Sequence, residues 1–180
     1  MPFFRAGFTN AAAVLDPNAA WYVWHAHKRV GEIEQIWREL DILNHMQIVW
    51  VKPTALHTHT YYPWQHEPCL MGWRRGNKPA HDGDNTHAVT SVWTVDWEGK
   101  NRVVGNEHPT QKPVELFARP MRKHTQPGAI CYEPFSGSGS QLIAGEQQGR
   151  SVRAMELSPT FCDVAIERWQ NFTGEKAKRT

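Results

Sequence analysis

Residues 127–140, "PGAICYEPFSGSGS", pass from a turn dipeptide through a short apolar strand into a glycine-rich turn, and residues 140–149, "SQLIAGEQQG", follow as a helix closed by Gly149. A strand, a Gly137-Ser138-Gly139 turn and a helix in this order make a place where a ligand can approach the main chain. Glycine has no Cβ and tolerates positive φ. The helix N-terminus offers unpaired amides carrying partial positive charge. Alone the pattern is weak, because most glycine pairs at strand ends are only tight turns. It gains weight from Glu156, near the end of the following strand "SVRAMEL" and 17 residues after Gly139. In Rossmann-like folds an acidic residue there takes the ribose hydroxyls of the ligand. No Gly-Lys-Ser/Thr follows the turn, which excludes a P-loop, and Leu142 stands where a dinucleotide fingerprint needs its third glycine. An adenosine-bearing ligand without a long phosphate chain fits these residues better than NAD or ATP.

Working outward, Ser158-Pro159 reads as a cap and first-turn pair for a last helix, "TFCDVAIERWQNF", with Phe161, Val164, Ala165 and Trp169 on one face. Upstream, Pro113 suits a first helical turn with Thr110 or Gln111 as cap, and Pro120 is expected to kink or end that helix. Further back, "WYVWH" (21–25) reads as a buried strand, "KRVGEIEQIWRELD" as an amphipathic helix, and "MQIVWV" (46–51) as a strand stopped by Lys52-Pro53. Strand, helix, strand indicates an α/β body. Residues 53–107 are rich in His, Pro, Gly and aromatics and read as hairpins and loops inserted on that body, with 74–88 a mobile loop.

The totals agree with one soluble globular domain of 180 residues: 40% hydrophobic, 21% charged, and no apolar run that would cross a membrane. Three cysteines without CxxC spacing point to a reducing, cytoplasmic setting. A net charge of +2 is too mild to indicate nucleic acid, but "RRGNK" (74–78) and "RPMRKH" (119–124) concentrate positive charge. Nine tryptophans, several beside basic residues as in Trp73-Arg74-Arg75, raise the idea of a base-stacking surface, although most tryptophans fill cores. His25-x-His27, His57-x-His59 and His66-x-x-Cys69 match no standard zinc spacing, so no metal site is assigned.

Two segments carry a family resemblance. "EPFSGSG" (133–139) resembles the S-adenosylmethionine motif DPFxGxG of amino-group DNA methyltransferases. "HPTQKPVEL" (108–116) resembles the segment that precedes that motif in the permuted β class of those enzymes; Glu133 follows Lys112 by 21 residues. The pair is a far stronger signal than either piece, and the resemblance extends over nearly the whole chain through "YVWH", "IVWVKP", "YYPWQHEPCLMGWRRG" and "MELSPTFCDVAIERW". Glu133 for Asp and Ser140 for Thr are conservative departures. The resemblance implies a Rossmann-like α/β methyltransferase fold, with a mixed sheet, helices on both faces and permuted motif order. It implies a single partial methyltransferase domain over 1–180, with 53–107 a candidate target-recognition region and 108–173 the cofactor half. It implies S-adenosylmethionine held by Thr110, Gln111, Lys112, Glu133, Phe135, Gly137, Gly139, Ser140 and Glu156, with Glu156 on the ribose and Glu133 near the amino-acid end. It implies double-stranded DNA as partner, with Trp73, Arg74, Arg75 and Lys78 as contacts, in a restriction–modification or phage setting.

Such enzymes work through an Asp/Asn/Ser-Pro-Pro-aromatic tetrapeptide that grips the exocyclic amine of a flipped base. No two prolines are adjacent in these 180 residues, so no catalytic residue is assigned. The expectation is a truncated or internally initiated product lacking N-terminal strands, which folds poorly alone because unpaired strand edges are costly. Adenine N6 is the expected target. The alternative is a catalytically incompetent remnant, or a subunit that self-associates or needs a complementing N-terminal half.

Overall fold

The computed structural model describes residues 2–56, 59–80, 89–96 and 111–179. The chain divides into two compact units, Met1–Asp96 and Trp97–Thr180.

The first unit opens with helix α1 (Pro2–Val14), followed by strand β1 (Trp21–Trp24), a single 3-10 turn at His27–Arg29, helix α2 (Val30–Glu39), and strands β2 (Ile42–Leu56), β3 (Trp64–Arg74) and β4 (Val92–Thr94). The sheet order is β1-β3-β2-β4. β3 runs antiparallel to both β1 and β2, and β4 runs parallel to β2. The strand–helix–strand reading therefore holds, but β1 and β2 are not neighbours: β3 lies between them. α2 turns Ile33, Ile36 and Trp37 inward, as its 3.6-residue period requires. Trp37 meets Trp21 edge to face at 6.4 Å. Gly72 of β3 is obligatory in this packing, because a Cβ there would stand 2.1 Å from the Leu43 carbonyl oxygen and 2.7 Å from the Trp37 ring.

Two prolines escaped the sequence reading. β2 does not stop at Lys52-Pro53 but runs on to Leu56, because the register slips between Val51 and Leu56 and the irregularity takes up the missing donor. Pro68 sits inside β3, opposite Val49. Its carbonyl accepts from the His25 amide at 3.1 Å, so its nitrogen faces the same side, where β1 has already ended at Trp24. No ladder donor is needed there.

The second unit holds helix α3 (Glu115–His124), strand β5 (Ile130–Glu133), helix α4 (Ser140–Gln148), strand β6 (Ser151–Ala154) and helix α5 (Pro159–Thr173). β5 and β6 pair in parallel across the α4 crossover, and among the described residues they pair only with each other. Val114, Ala118, Met121, Ile143 and Ala144 form the core, with Phe117, Cys131, Val152 and Trp169 packed around it. α3 passes through Pro120 without ending. The proline removes one hydrogen bond, while Leu116, Ala118 and Met121, buried on both sides of it, hold the helix together. The expected cap was Thr110 or Gln111 with Pro113 in the first turn; Thr110 lies outside the described residues, and α3 starts later, with Gln111 and Pro113 ahead of an N-cap at Val114 that makes no side-chain cap bond. β6 is shorter than "SVRAMEL" suggests, and the loop expected over 74–88 is described only to Ala80.

Candidate cofactor site

The ends of β5 and β6 are stitched together beyond their ladder. The Met155 amide donates to the Glu133 carbonyl at 2.8 Å, and the Ser136 amide to the Met155 carbonyl at 2.9 Å. This carries Glu133 and Glu156 to adjacent strand ends, where open α/β sheets place their ligands. Glu156 organises the turn between them. Its Oε2 accepts from the Gly137 amide at 2.7 Å, and its Oε1 accepts from the Leu157 and Ser158 amides, both at 2.9 Å. Three charge-assisted bonds fix the carboxylate before any ligand arrives. Glu133 is held by one, from the Phe135 amide at 2.8 Å. Burial pushes the Glu133 carboxyl above the usual range and the neighbouring Glu156 charge adds to this, against the Phe135 amide and the Lys112 ammonium, which pull it down.

The glycines are positioned for backbone reasons. Gly137 and Gly139 have φ of 54° and 76°. Gly139 caps α4 and lies so close to α5 that a Cβ would stand 2.8 Å from the Ala165 Cβ. Ser140 opens α4, is buried, and its hydroxyl donates to the Lys112 carbonyl at 2.7 Å. That bond ties the segment around 111–113 to the glycine-rich turn, so the two sequence stretches that carried the resemblance meet. Lys112, Glu133, Phe135, Gly137, Gly139, Ser140 and Glu156 thus gather at one end of the two-stranded sheet; Gln111 precedes Lys112 in the chain, and Thr110 lies outside the described residues.

Arg168 was not anticipated. From α5 it donates to the Ser138 carbonyl at 2.5 Å, to Ser138 Oγ at 3.0 Å and to Ser140 Oγ at 3.3 Å. One guanidinium therefore staples both serines of the turn to the last helix. Nothing in the sequence marks an arginine 28 residues from its partner.

The residue types fit an adenosine-bearing cation. Two carboxylates suit a ligand with ribose hydroxyls and an ammonium, and the half-exposed Phe135 ring offers an apolar face beside them. Ser136 Oγ is buried in the turn without a hydrogen-bond partner among the described residues, a polar atom left for a ligand or water to satisfy.

The four expected DNA contacts, all in the first unit, behave differently from one another. Trp73 is only 8% exposed and packs its ring 4.4 Å from His45, so it is a core residue and not a stacking surface. Arg74 donates to the Ala12 carbonyl at 2.8 Å. Arg75 pairs with Asp41 on the surface, and Lys78 is exposed. The same unit buries an ion pair that the sequence did not announce: Lys52 Nζ lies 2.7 Å from Glu67 Oε1, with the ammonium 5.7 Å from the Trp50 ring centre. Of the histidine pairs, His57 lies outside the described residues, and no group of metal-binding side chains occurs among the others. No described helix is long and apolar enough to cross a membrane.

Comparison with known proteins bears on these observations. A family model described as a DNA methylase, covering N6 and N4 methyltransferases, matches residues 3–167. The type II methyltransferase M2.MboI of Moraxella bovis is 24% identical over 95% of this chain and 66% of its own length. The chain spans less than half of two other curated type II methyltransferases that it matches, 43% and 44% of their lengths. Among solved structures, the M1.HpyAVI–SAM complex superimposes with a TM-score of 0.76 at 21% identity, over 89% of this chain and 79% of that one. The cytosine-N4-specific PvuII DNA methyltransferase gives 0.78 at 14% identity, over 93% and 70%. The fold is the α/β methyltransferase fold.

Proposed function

Since the chain belongs to the DNA methylase family of N6 and N4 methyltransferases, we propose that it binds S-adenosylmethionine at the glycine-rich turn and serves methyl transfer to an exocyclic amine of DNA, adenine N6. The observation that carries this is the Glu156 carboxylate, held by the Gly137, Leu157 and Ser158 amides beside the turn. Glu156 holds the ribose hydroxyls and Glu133 the α-ammonium, while Phe135 lies along the adenosine. The ligand supplies an electrophilic methyl group. The chain's share is to fix that methyl in place: Arg168 and Ser140 hold the turn, and Ser140 anchors the main chain of Lys112. Such positioning is worth several orders of magnitude in rate when the amine is brought in line. Exposed Arg75 and Lys78 meet backbone phosphates within the 53–107 recognition region, which gives binding a salt dependence.

A second reading has its own support. No Pro-Pro-aromatic run occurs in these residues, so in that reading the amine is gripped by another segment or a partner subunit, and this chain supplies cofactor and DNA contacts. Digestion of DNA treated with the protein and S-adenosylmethionine, followed by mass spectrometry of the nucleosides, tests both. N6-methyladenine supports the first reading. N4-methylcytosine corrects the target, and cofactor binding without any methylated nucleoside favours the second.

A further inference from the structure

The three helices of the second unit run the same way, from the cofactor end of the sheet to the opposite end. Ser140 opens α4 and holds the Lys112 carbonyl just ahead of α3. α5 passes Gly139 at Ala165 and reaches Glu146 at Trp169, whose indole donates to Glu146 Oε1 at 2.8 Å. At the far end Arg150, just past α4, donates to the Thr125 hydroxyl at 3.0 Å and to the Thr125 carbonyl at 2.6 Å, where α3 stops. α4 has 9 residues, so about 14 Å separates this end from the glycine-rich turn.

Cations collect there. Arg122, Lys123 and His124 fill the last turn of α3, where they complement the carbonyls of a helix C-terminus. The segment after α5 has no such explanation. Residues 174–179, "GEKAKR", hold Lys176, Lys178 and Arg179 against the single acid Glu175. Helix-end attraction fades within the last turn, and these three lie beyond it. All three are exposed, and none pairs with a carboxylate among the described residues. Nor does the segment run free of the helix. Gly174, with φ of 74°, donates to the Gln170 carbonyl at 2.8 Å, the Glu175 amide to the Thr173 hydroxyl at 3.1 Å, and the Ala177 amide to Gln170 Oε1 at 3.0 Å. The backbone is folded back on α5, so its cations are presented at reduced conformational cost.

Pinned, unpaired cations fit a polyanion, and duplex DNA carries one charge per about 1.7 Å of its axis. α4 packs against both α3 and α5, so the ends of those two helices lie within about 20 Å, a span that one duplex can follow. We propose that this end of the second unit, with Lys176, Lys178 and Arg179 beside Lys123, is a second contact for duplex phosphates, and that it holds a DNA segment other than the one offered to the cofactor. This rests on the DNA reading above and adds to it a surface that touches no base edge and so reads no sequence. A chain with two such faces keeps one segment while it meets the next.

The test captures the protein on an immobilised duplex and titrates a free second duplex over a salt series, beside calorimetric titration of S-adenosylmethionine. Wild type is expected to retain the second duplex, with an affinity that falls roughly 40- to 150-fold between about 50 and 200 mM salt, the slope for three to four phosphates. K176Q/K178Q/R179Q should still be captured and bind cofactor unchanged, but hold the second duplex at least roughly tenfold more weakly. K176R/K178R keeps the charges and should stay within about 2-fold of wild type. No second duplex on wild type overturns the proposal while the methyltransferase reading stands. So does equal retention by the glutamine variant, which puts the second duplex on another copy of the chain. Binding of wild type to phosphatidylserine vesicles without a second duplex makes the face a membrane contact and also overturns it. If wild type binds cofactor but no DNA, the proposal falls and the cofactor site survives; if it binds neither, the reading beneath it falls too.

Discussion

Gly139→Ala separates backbone strain from packing at the glycine-rich turn. The residue has φ of 76°, a region that costs an L side chain about 1–2 kcal/mol. The added Cβ would stand 2.8 Å from the Ala165 Cβ, 3.2 Å from the Ala165 Cα and 3.3 Å from the Leu142 Cδ1. Two of those three atoms belong to the body of α5, which cannot yield as the end of a long side chain can. Overpacking of this kind costs about 1–3 kcal/mol, so the total is about 2–5 kcal/mol. Gly128 supplies the control: its φ is 85°, and a Cβ there meets nothing within 4 Å, so Gly128→Ala should cost the strain alone, about 1–2 kcal/mol. The readout is urea-dependent hydrogen exchange at the α4 amides, because a chain of two units need not unfold as one. Ala165→Gly in the Gly139→Ala background should recover at least about 1 kcal/mol of coupling, even though glycine alone weakens a helix. If Gly139→Ala costs no more than Gly128→Ala, or if the double variant shows no coupling, the claim that α5 presses on the turn is wrong.

Three further expectations follow from the same contacts. Arg168→Ala should weaken S-adenosylmethionine binding by roughly tenfold, while Arg168→Lys restores only part of it, since an ammonium cannot reach Ser138 and Ser140 together; calorimetry showing equal affinity for all three proteins would remove Arg168 as a positioning residue. For Glu133 the sign runs against the usual acidic residue. Burial raises its folded value above the unfolded one, so its ionisation costs stability, which is fullest below the unfolded carboxylate range and declines as pH rises through the folded value. Denaturation midpoints across that window should therefore fall less steeply in Glu133→Gln, whose amide oxygen can still accept from Phe135, and an unaltered slope would contradict the assignment. Lys52→Met removes the ammonium beside the partly buried Glu67 carboxylate and should cost about 1–3 kcal/mol in the first unit, measured by hydrogen exchange in β2 and β3; no measurable loss would show that the pair contributes nothing to stability.

Where local chemistry decides an element, the sequence was enough. α4 is bounded by Gly139 and Gly149, both with positive φ, and the period of α2 picks out its three buried residues, Ile33, Ile36 and Trp37, although Val30 and Leu40 of the same stripe stay half-buried. The position of Glu156 beside the glycine-rich turn was likewise legible, because it follows the strand after that turn, although β6 ends two residues earlier, at Ala154. Long-range pairing hid the rest. Pro68 can stand in an interior strand only because β1 ends beside it, and Pro53 can continue a strand only because the register slips there, neither of which has a local signature. Trp73 looked like a surface residue because Arg74 and Arg75 follow it, yet β3 is buried without a break from Pro68 to Trp73, and the tryptophan falls at the end of that run. Arg168 was invisible for a similar reason: its partners are set by how α5 crosses the turn.

Calorimetric titration of S-adenosylmethionine into the wild-type protein and its Glu156→Ala variant tests the central claim most directly. One site per chain is expected for wild type. In the variant, loss of the carboxylate that holds the Gly137, Leu157 and Ser158 amides should weaken binding by roughly 5- to 150-fold, the equivalent of the 1–3 kcal/mol that unsatisfied groups cost. Equal affinity in the two proteins, or no binding to wild type, would contradict it.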